Sequence, residues 1–559
     1  MTDTTPPVTS GETARDEDMF PTLTAAQIAR IAAHGHTRRV ERGEVLVEAG
    51  ERTARFFVVT SGQIEIVQSK GDSEETVAVF GPGMFTGEVT MLSGRRGLAQ
   101  ITVSDAGEVI EVDRQQLLEL VQTDGELSDI LMRAFSLRRV ELIARGLGGV
   151  VLVGSNYCAG TLRIKEFLTR NGHPYSYIDL DHDDGAQDLL DHFHVTDADV
   201  PVVICRGQVV LRNPSNGQIA DCLGFNEAID QTHLRDLVIV GAGPSGLAAA
   251  VYGASEGLDV LVLESNLPGG QAGSSSKIEN YLGFPTGITG QELTARAYTQ
   301  AEKFGAQLMI AKGAKRLTCD RKPYALEIDD GPRVPARTII LATGAEYRRL
   351  ALDNLSQFEG AGVYYGATFI EAQVCKGEEV VVVGGGNSAG QAAVFLAETA
   401  RRVYMLVRGE GLAETMSRYL IRRLEQNPAI VLQTQTEIVA LEGNEHLERV
   451  GLRDNQSGSI ETREVRHVFV MTGAVPSTRW LDGCVVLDAK GFIKTGSDLS
   501  QEDLDGASWP LARTPHLLET SIPGVFAVGD VRGGSLKRVA SAVGEGSIAI
   551  AFVHKVLHE

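Results

Sequence analysis

Two short glycine-rich turns constrain this chain more than any other feature of it. The first, Gly241-Ala-Gly243-Pro244-Ser245-Gly246, follows the apolar run Asp236 to Val240 and opens a helical stretch, Leu247 to Ser255. The second, Gly384-Gly-Gly386-Asn387-Ser388-Ala389, follows Glu379 to Val383 in the same way. A Gly-x-Gly-x-x-Gly spacing between strand and helix permits a tight turn, close approach of a pyrophosphate, and phosphate binding at the helix N-terminus. After the first turn, the strand Val260-Leu-Val-Leu263 ends on Glu264, where a carboxylate can hold a ribose hydroxyl. After the second, the strand Val403 to Val407 ends on Arg408 with no carboxylate, which favours a ribose 2′-phosphate. Two such turns predict two dinucleotide folds, with their ligands brought together.

At 559 residues the chain exceeds one hydrophobic core, so several domains are expected. Its net charge of −21 argues against nucleic acid or an anionic membrane as partner. Six scattered cysteines with no Cys-x-x-Cys predict neither a disulfide framework nor a zinc site. The N-terminus has no apolar leader segment, and the long apolar stretches are interrupted by glycine. No secretory signal or membrane span is therefore expected, and a cytoplasmic location is.

Residues 236–559 resemble the bacterial-type thioredoxin reductases. Pro268-Gly-Gly270-Gln271 and Ile278-Glu-Asn280-Tyr-Leu-Gly resemble that family's flavin-contacting loops. Ala342-Thr343-Gly344-Ala and Met471-Thr-Gly473-Ala resemble its crossings between domains, and Val528-Gly529-Asp530 its second flavin motif. The companion Arg-Gln-Ala segment reads Arg538-Val539-Ala540 here. The resemblance implies FAD at the first fold and NADPH at the second. Against the family's pattern, the arginine cluster is reduced to Arg408, with Ala413 downstream and Arg418 as a candidate replacement. The larger departure is at Gly366-Ala-Thr-Phe369, where the family carries the Cys-x-x-Cys that passes electrons to a disulfide. Neither Gly366 nor Phe369 can form a thiolate.

Two further modules precede this core. Alternating runs at Gly43–Glu48, Phe56–Gly62, Gln63–Val67 and Thr76–Phe80, punctuated by Gly turns, predict a small β-roll. Helical patterns follow at Arg114–Val121 and Glu126–Arg145. With Gly87-Glu88, this order resembles a cyclic-nucleotide-binding domain, which implies a nucleotide ligand. The family's phosphate-binding arginine falls on Gly97, with Arg95 and Arg96 displaced from it. A β-roll kept for docking or dimerisation is the alternative. From Val150 the pattern is strand, helix (Leu162–Arg170), strand (Tyr175–Asp181), helix (Ala186–His192) and the strand opening at Val200. It resembles the thioredoxin/glutaredoxin fold, which implies a cis bond at Val200-Pro201 and a redox position at Cys158. Cys158 is the only cysteine at that motif, so a redox thiol and a docking adaptor both remain open. Cys205 is expected in the core, and Cys222 or Cys375 are candidate resolving thiols.

The expected architecture is multidomain. Residues 1–18 form a disordered tail, 19–148 a β-roll with helices, and 149–232 a thioredoxin-like α/β domain. Residues 233–350 and 475–559 form a split FAD domain, with an NADPH domain at 351–474 inserted. Both dinucleotide folds are expected to be Rossmann-like, three-layer ββα units. The expected activity is NADPH oxidation through FAD to an acceptor, which is a disulfide or thioredoxin-like protein by resemblance. Ferredoxin, a quinone or oxygen are alternatives, as is a non-catalytic NADPH or redox sensor. A homodimer is expected by resemblance.

Overall fold

The computed structural model describes residues 17–559 apart from 52–54, 71–72, 89, 94, 98, 146–148, 157, 182–195, 197–198, 206–208, 320–321, 330 and 482. The expected helix Ala186–His192 and nearly all of the N-terminal tail lie outside the described residues.

The N-terminal sheet has five antiparallel strands. The runs expected as two strands around Gly62 are one strand, Arg55–Lys70. Gly62 adopts φ +80°, and a Cβ there would lie 2.6 Å from the Asp105 carbonyl oxygen. The pairing register slips on either side of it, so this glycine makes a bulge rather than the expected turn. The helix Gly125–Ala144 covers the roll with Leu127, Leu131, Ala134 and Phe135 buried.

The next unit has four strands. Val150–Gly154 pairs in parallel with Ser176–Asp179 across the helix Ala159–Arg170, and antiparallel with Val202–Cys205, which pairs with Val209–Arg212. The Val200–Pro201 bond is cis. Pro201 packs beneath the start of the helix, where a Cβ on Gly160 would lie 3.0 Å from its ring.

In the first dinucleotide fold the parallel strands Gln307–Ile310, Val260–Glu264, Arg235–Val240 and Arg333–Leu341 run in that order. The final part of Arg333–Leu341 also pairs with Val525–Ala527, which joins the two halves of the split domain. The inner strands read as apolar runs because they are buried throughout Leu237–Val240 and Val260–Glu264. By length and composition the C-terminal helix Val539–His558 is long and apolar enough to cross a membrane. Here it packs on the helix Pro244–Ser255, close enough that a Cβ on Gly546 would lie 2.2 Å from the Ser245 carbonyl oxygen.

The second fold has five parallel strands in the order Val363–Tyr364, His467–Val470, Glu379–Val383, Arg402–Val407, Ile430–Thr434. An antiparallel meander, Thr436–Gly443, Leu447–Asp454 and Ile460–Glu464, adds its third layer. Although the scattered cysteines predicted no disulfide framework, one pair is bonded. Cys319 and Cys484, 165 residues apart, are bonded with Cα atoms 6.1 Å apart. Only the return of the chain to the first fold brings them together, so their spacing in sequence carried no signal.

Candidate active site

The glycines of the two turns divide by what surrounds them. Gly241 has φ +106°, and a Cβ there would lie 2.3 Å from the Ala342 carbonyl oxygen. At Gly246 it would lie 1.9 Å from the Gly241 carbonyl oxygen. At Gly243 the nearest atom is the Gly270 Cα, 4.0 Å away. The outer glycines are thus demanded by the chain itself, while the middle one borders open space. The second turn repeats this: Gly384 is crowded by the Met471 carbonyl oxygen, whereas Gly386 and Gly473 have nothing within 4 Å, and Ala389 is fully buried. Gly344 is also open. Gly243 and Gly386 cap their helices without a side-chain acceptor, so the first-turn N–H groups are available to phosphate oxygens.

Glu264 is 8% exposed and organises the first turn from below. Its Oε2 accepts from Ala242 N at 2.8 Å and its Oε1 from Asn266 N at 2.9 Å and Leu267 N at 3.1 Å. Burial raises its carboxyl pKa against these bonds. A ribose hydroxyl would share a carboxylate already fixed in place. Ser245 is buried behind the turn. Gln271 Nε2 donates to the Ala345 carbonyl, and Asn280 is exposed on its loop. Thr343 Oγ1 donates to the Ser477 carbonyl at 3.0 Å, which ties the two crossings together. Gly529 N donates to Glu545 Oε2 at 2.6 Å, and Glu545 also pairs with Arg532 at 2.6 Å. Asp530 lies beside Lys537 at 3.6 Å. Arg538 caps the C-terminal helix and is exposed, as is Ala540, with Val539 half-buried.

Around the second turn, Asn387 Oδ1 accepts from Ser417 N at 2.9 Å and Thr415 Oγ1 donates to the Gly385 carbonyl at 2.7 Å. The loop between Arg408 and Arg418, both exposed, is thereby held against the turn. Ser388 is exposed at the helix start and hydrogen-bonds Tyr347.

The two folds enclose one cleft. Gln271 and Ser274 of the first line it together with Gly366, Ser388 and Met471 of the second. Glu279 of the Asn280 loop pairs with Arg423 at 2.7 Å. Gly366 thus sits in the cleft, and a Cβ there would make only ordinary contacts with Ser274, at 3.6 Å. Phe369 opens a helix and is 70% exposed.

The thioredoxin-like unit closes this cleft from the side. Arg170 Nη2 donates to the Pro268 carbonyl at 2.7 Å and the Gly270 carbonyl at 2.8 Å. Leu162 is buried among Tyr364 and Cys375 of the second fold. Ala159 packs so closely on Gly360 that a Cβ there would lie 2.6 Å from its own. Between these contacts is a cavity of about 430 Å³ lined by Ala159, Arg163, Glu166, Gln271, Tyr365 and Gly366, among others. Cys158, half-buried, is the N-cap residue immediately before Ala159. Cys375 is fully buried, and burial pushes its thiol up to about 12, which disqualifies it as a resolving thiol. Cys205 is buried in its strand, and Cys222 packs against the core of the thioredoxin-like unit.

Residues 235–546 match the family described as pyridine nucleotide-disulphide oxidoreductase. The chain belongs to that family. Residues 37–124 match the cyclic nucleotide-binding domain. The thioredoxin reductase of Bacillus subtilis is 31% identical over 331 residues, 59% of this chain and 97% of the relative. That of Treponema pallidum is 34% identical over 317 residues, 56% of this chain and 94% of the relative. The crystal structure of Lactococcus lactis thioredoxin reductase superposes with a TM-score of 0.52 at 26% identity, covering 58% of this chain and all of that one. Family membership implies FAD and NADPH as cofactors of this thioredoxin reductase-like core. The open middle glycines and uncapped helix ends fit both.

Sequence reading missed Glu545, Tyr347, Arg170 and the Glu279–Arg423 pair. Glu545 lies on an apolar helix, where a single acid was a visible signal. The others act across domain boundaries and had none.

Proposed function

We propose that this chain is an NADPH-oxidising flavoprotein that reduces a small disulfide admitted to the cavity beside Cys158. The carrying observation is that Gly366, in place of the family's first redox cysteine, lines the same cavity as Ala159. FAD, when bound, takes a hydride from NADPH and passes on two electrons. The chain's own residues do the rest. Glu264 and the uncapped helix ends position the dinucleotides, and Thr343 holds the crossing on Ser477. Arg170 and Leu162 hold the thioredoxin-like unit against the two folds at the edge of this cleft. The volume suits a small molecule, and the docked helix Ala159–Arg170 obstructs a protein-sized partner. The overall step balances: one disulfide, two electrons from NADPH and two protons give two thiols.

The test is stopped-flow reduction by NADPH and NADH, followed by turnover with small disulfides, thioredoxin, ferredoxin, quinones and oxygen. Turnover with small disulfides ahead of thioredoxin is expected. Fast turnover with ferredoxin alone would refute the reading. NADPH oxidation without a competent acceptor would support a sensor, which the lack of a thiol at Gly366 and Phe369 also suits.

A further inference from the structure

The fold of the N-terminal domain implies a cyclic nucleotide, and its described residues do not fit one. Glu88, next to Gly87, is paired with Arg139 Nη1 of the helix Gly125–Ala144 at 3.4 Å, with both side chains largely buried. Gly97 offers no guanidinium where the phosphate is expected. Arg95 is 8% exposed and faces the other domains. Its guanidinium carbon lies 4.7 Å from the ring centre of Phe225 and 5.1 Å from that of Tyr298, and Nη2 donates to the Tyr298 hydroxyl. The carboxylate of Glu302 adds an opposite charge beside it. Phe225 belongs to the thioredoxin-like unit, and Tyr298 and Glu302 to the helix Gly290–Lys303 of the FAD domain. Arg96 is committed too: its side chain crosses the C-cap of the helix Asn216–Leu223, where a Cβ on Gly224 would lie 2.6 Å from it. Arg114 pairs with Glu227 at 3.3 Å, and Gln122 Nε2 donates to the Lys303 carbonyl at 3.0 Å around the same junction.

We propose that Arg95, sandwiched between Phe225 and Tyr298, makes the former phosphate-binding face of the N-terminal domain a clamp on the FAD domain rather than a receptor for a cyclic nucleotide. A planar guanidinium suits this task because it stacks on two rings while donating in its own plane. Vacating the site would take the donor from the Tyr298 hydroxyl and one of the cations that face the buried carboxylate of Glu302.

The clamp reaches the flavin loop through the helix it grips. One turn before Tyr298, Thr294 packs on Gly269, where a Cβ would lie 2.1 Å from its Oγ1. At the helix start a Cβ on Gly290 would lie 1.8 Å from the Ala272 carbonyl oxygen. Gly269 to Ala272 is the loop that carries Gln271 and accepts Arg170. A shift of the clamped end therefore acts on this loop, which has no slack to absorb it.

The full-length holoprotein tests the proposal. Calorimetric titration with cAMP and cGMP is expected to show no binding up to millimolar ligand, and saturable binding by either overturns it. In parallel, Arg95→Ala is expected to speed amide exchange at least tenfold along residues 290–303 and to change the flavin absorbance envelope. Exchange as in the parent overturns the clamp. If Arg95→Ala does not fold, Tyr298→Phe removes only the hydroxyl acceptor and is read the same way, with a smaller, severalfold rise expected and none refuting. Neither residue lies in the dinucleotide turns, so FAD retention separates failure of the clamp from failure of the cofactor assignment.

Discussion

Replacing Gly243 by alanine separates binding of the cofactor from folding of the turn. Gly243 has φ −74° and ψ −177°, a conformation open to any L-residue. The added methyl would meet only the Gly270 Cα at 4.0 Å. The apoprotein should therefore gain about 0.4–1 kcal/mol from the lower entropy of its unfolded chain. The same methyl fills the approach required by a pyrophosphate, and a 100-fold loss of FAD affinity, about 2.8 kcal/mol, is expected. Gly246→Ala is the opposite case. Its Cβ would lie 1.9 Å from the Gly241 carbonyl oxygen, so overpacking should cost the apoprotein about 1–3 kcal/mol or more. The assay is thermal unfolding of flavin-stripped protein together with fluorescence titration by FAD. Destabilisation of apo Gly243→Ala by more than about 1 kcal/mol, or FAD affinity equal to the parent's, would refute the reasoning. Gly243→Glu should yield colourless protein.

Four further outcomes follow from the structure. Cys158→Ser should abolish turnover with a disulfide if the thiol exchanges with substrate, and unchanged turnover eliminates that role. Cys375 should resist alkylation at pH 8 in the native protein and react only on unfolding, checked by mass spectrometry, because burial holds its thiol at about 12. Glu302 is raised by burial to about 7, facing Arg95, Tyr298, Arg114 and Arg139. A raised carboxyl favours the folded state at low pH, so this contribution is lost as pH rises from about 4.5 through 7, by about 3 kcal/mol, and Glu302→Gln should flatten that part of the stability profile. Arg513→Ala should destabilise the FAD domain by about 3–5 kcal/mol in thermal unfolding, because it strands the fully buried Glu519 that it pairs with at 2.6 Å.

Both turns, Glu264 and the crossings at Thr343 and Gly473 were legible because each depends on a few adjacent residues whose geometry is local. So were the strands at Asp236–Val240, Val260–Glu264, Glu379–Val383 and Val403–Val407, whose buried positions write apolar runs. The bulge at Gly62 was not, since a glycine at φ +80° serves a turn or a bulge equally and only the partner strand decides between them. The Cys319–Cys484 bond was hidden by the domain insertion that separates its halves.

By itself, the sequence carried the two dinucleotide turns, the family that implies FAD and NADPH, and the absence of the thiol pair expected between them. Tertiary structure alone decided how the N-terminal units meet these folds: the helix after Cys158 laid across both of them, and Arg95 drawn out of its own domain onto Tyr298. The physical reason is range. A turn is fixed by the backbone conformations of neighbouring residues, whereas a docked surface depends on charges and shapes hundreds of residues apart, which carry no shared pattern along the chain.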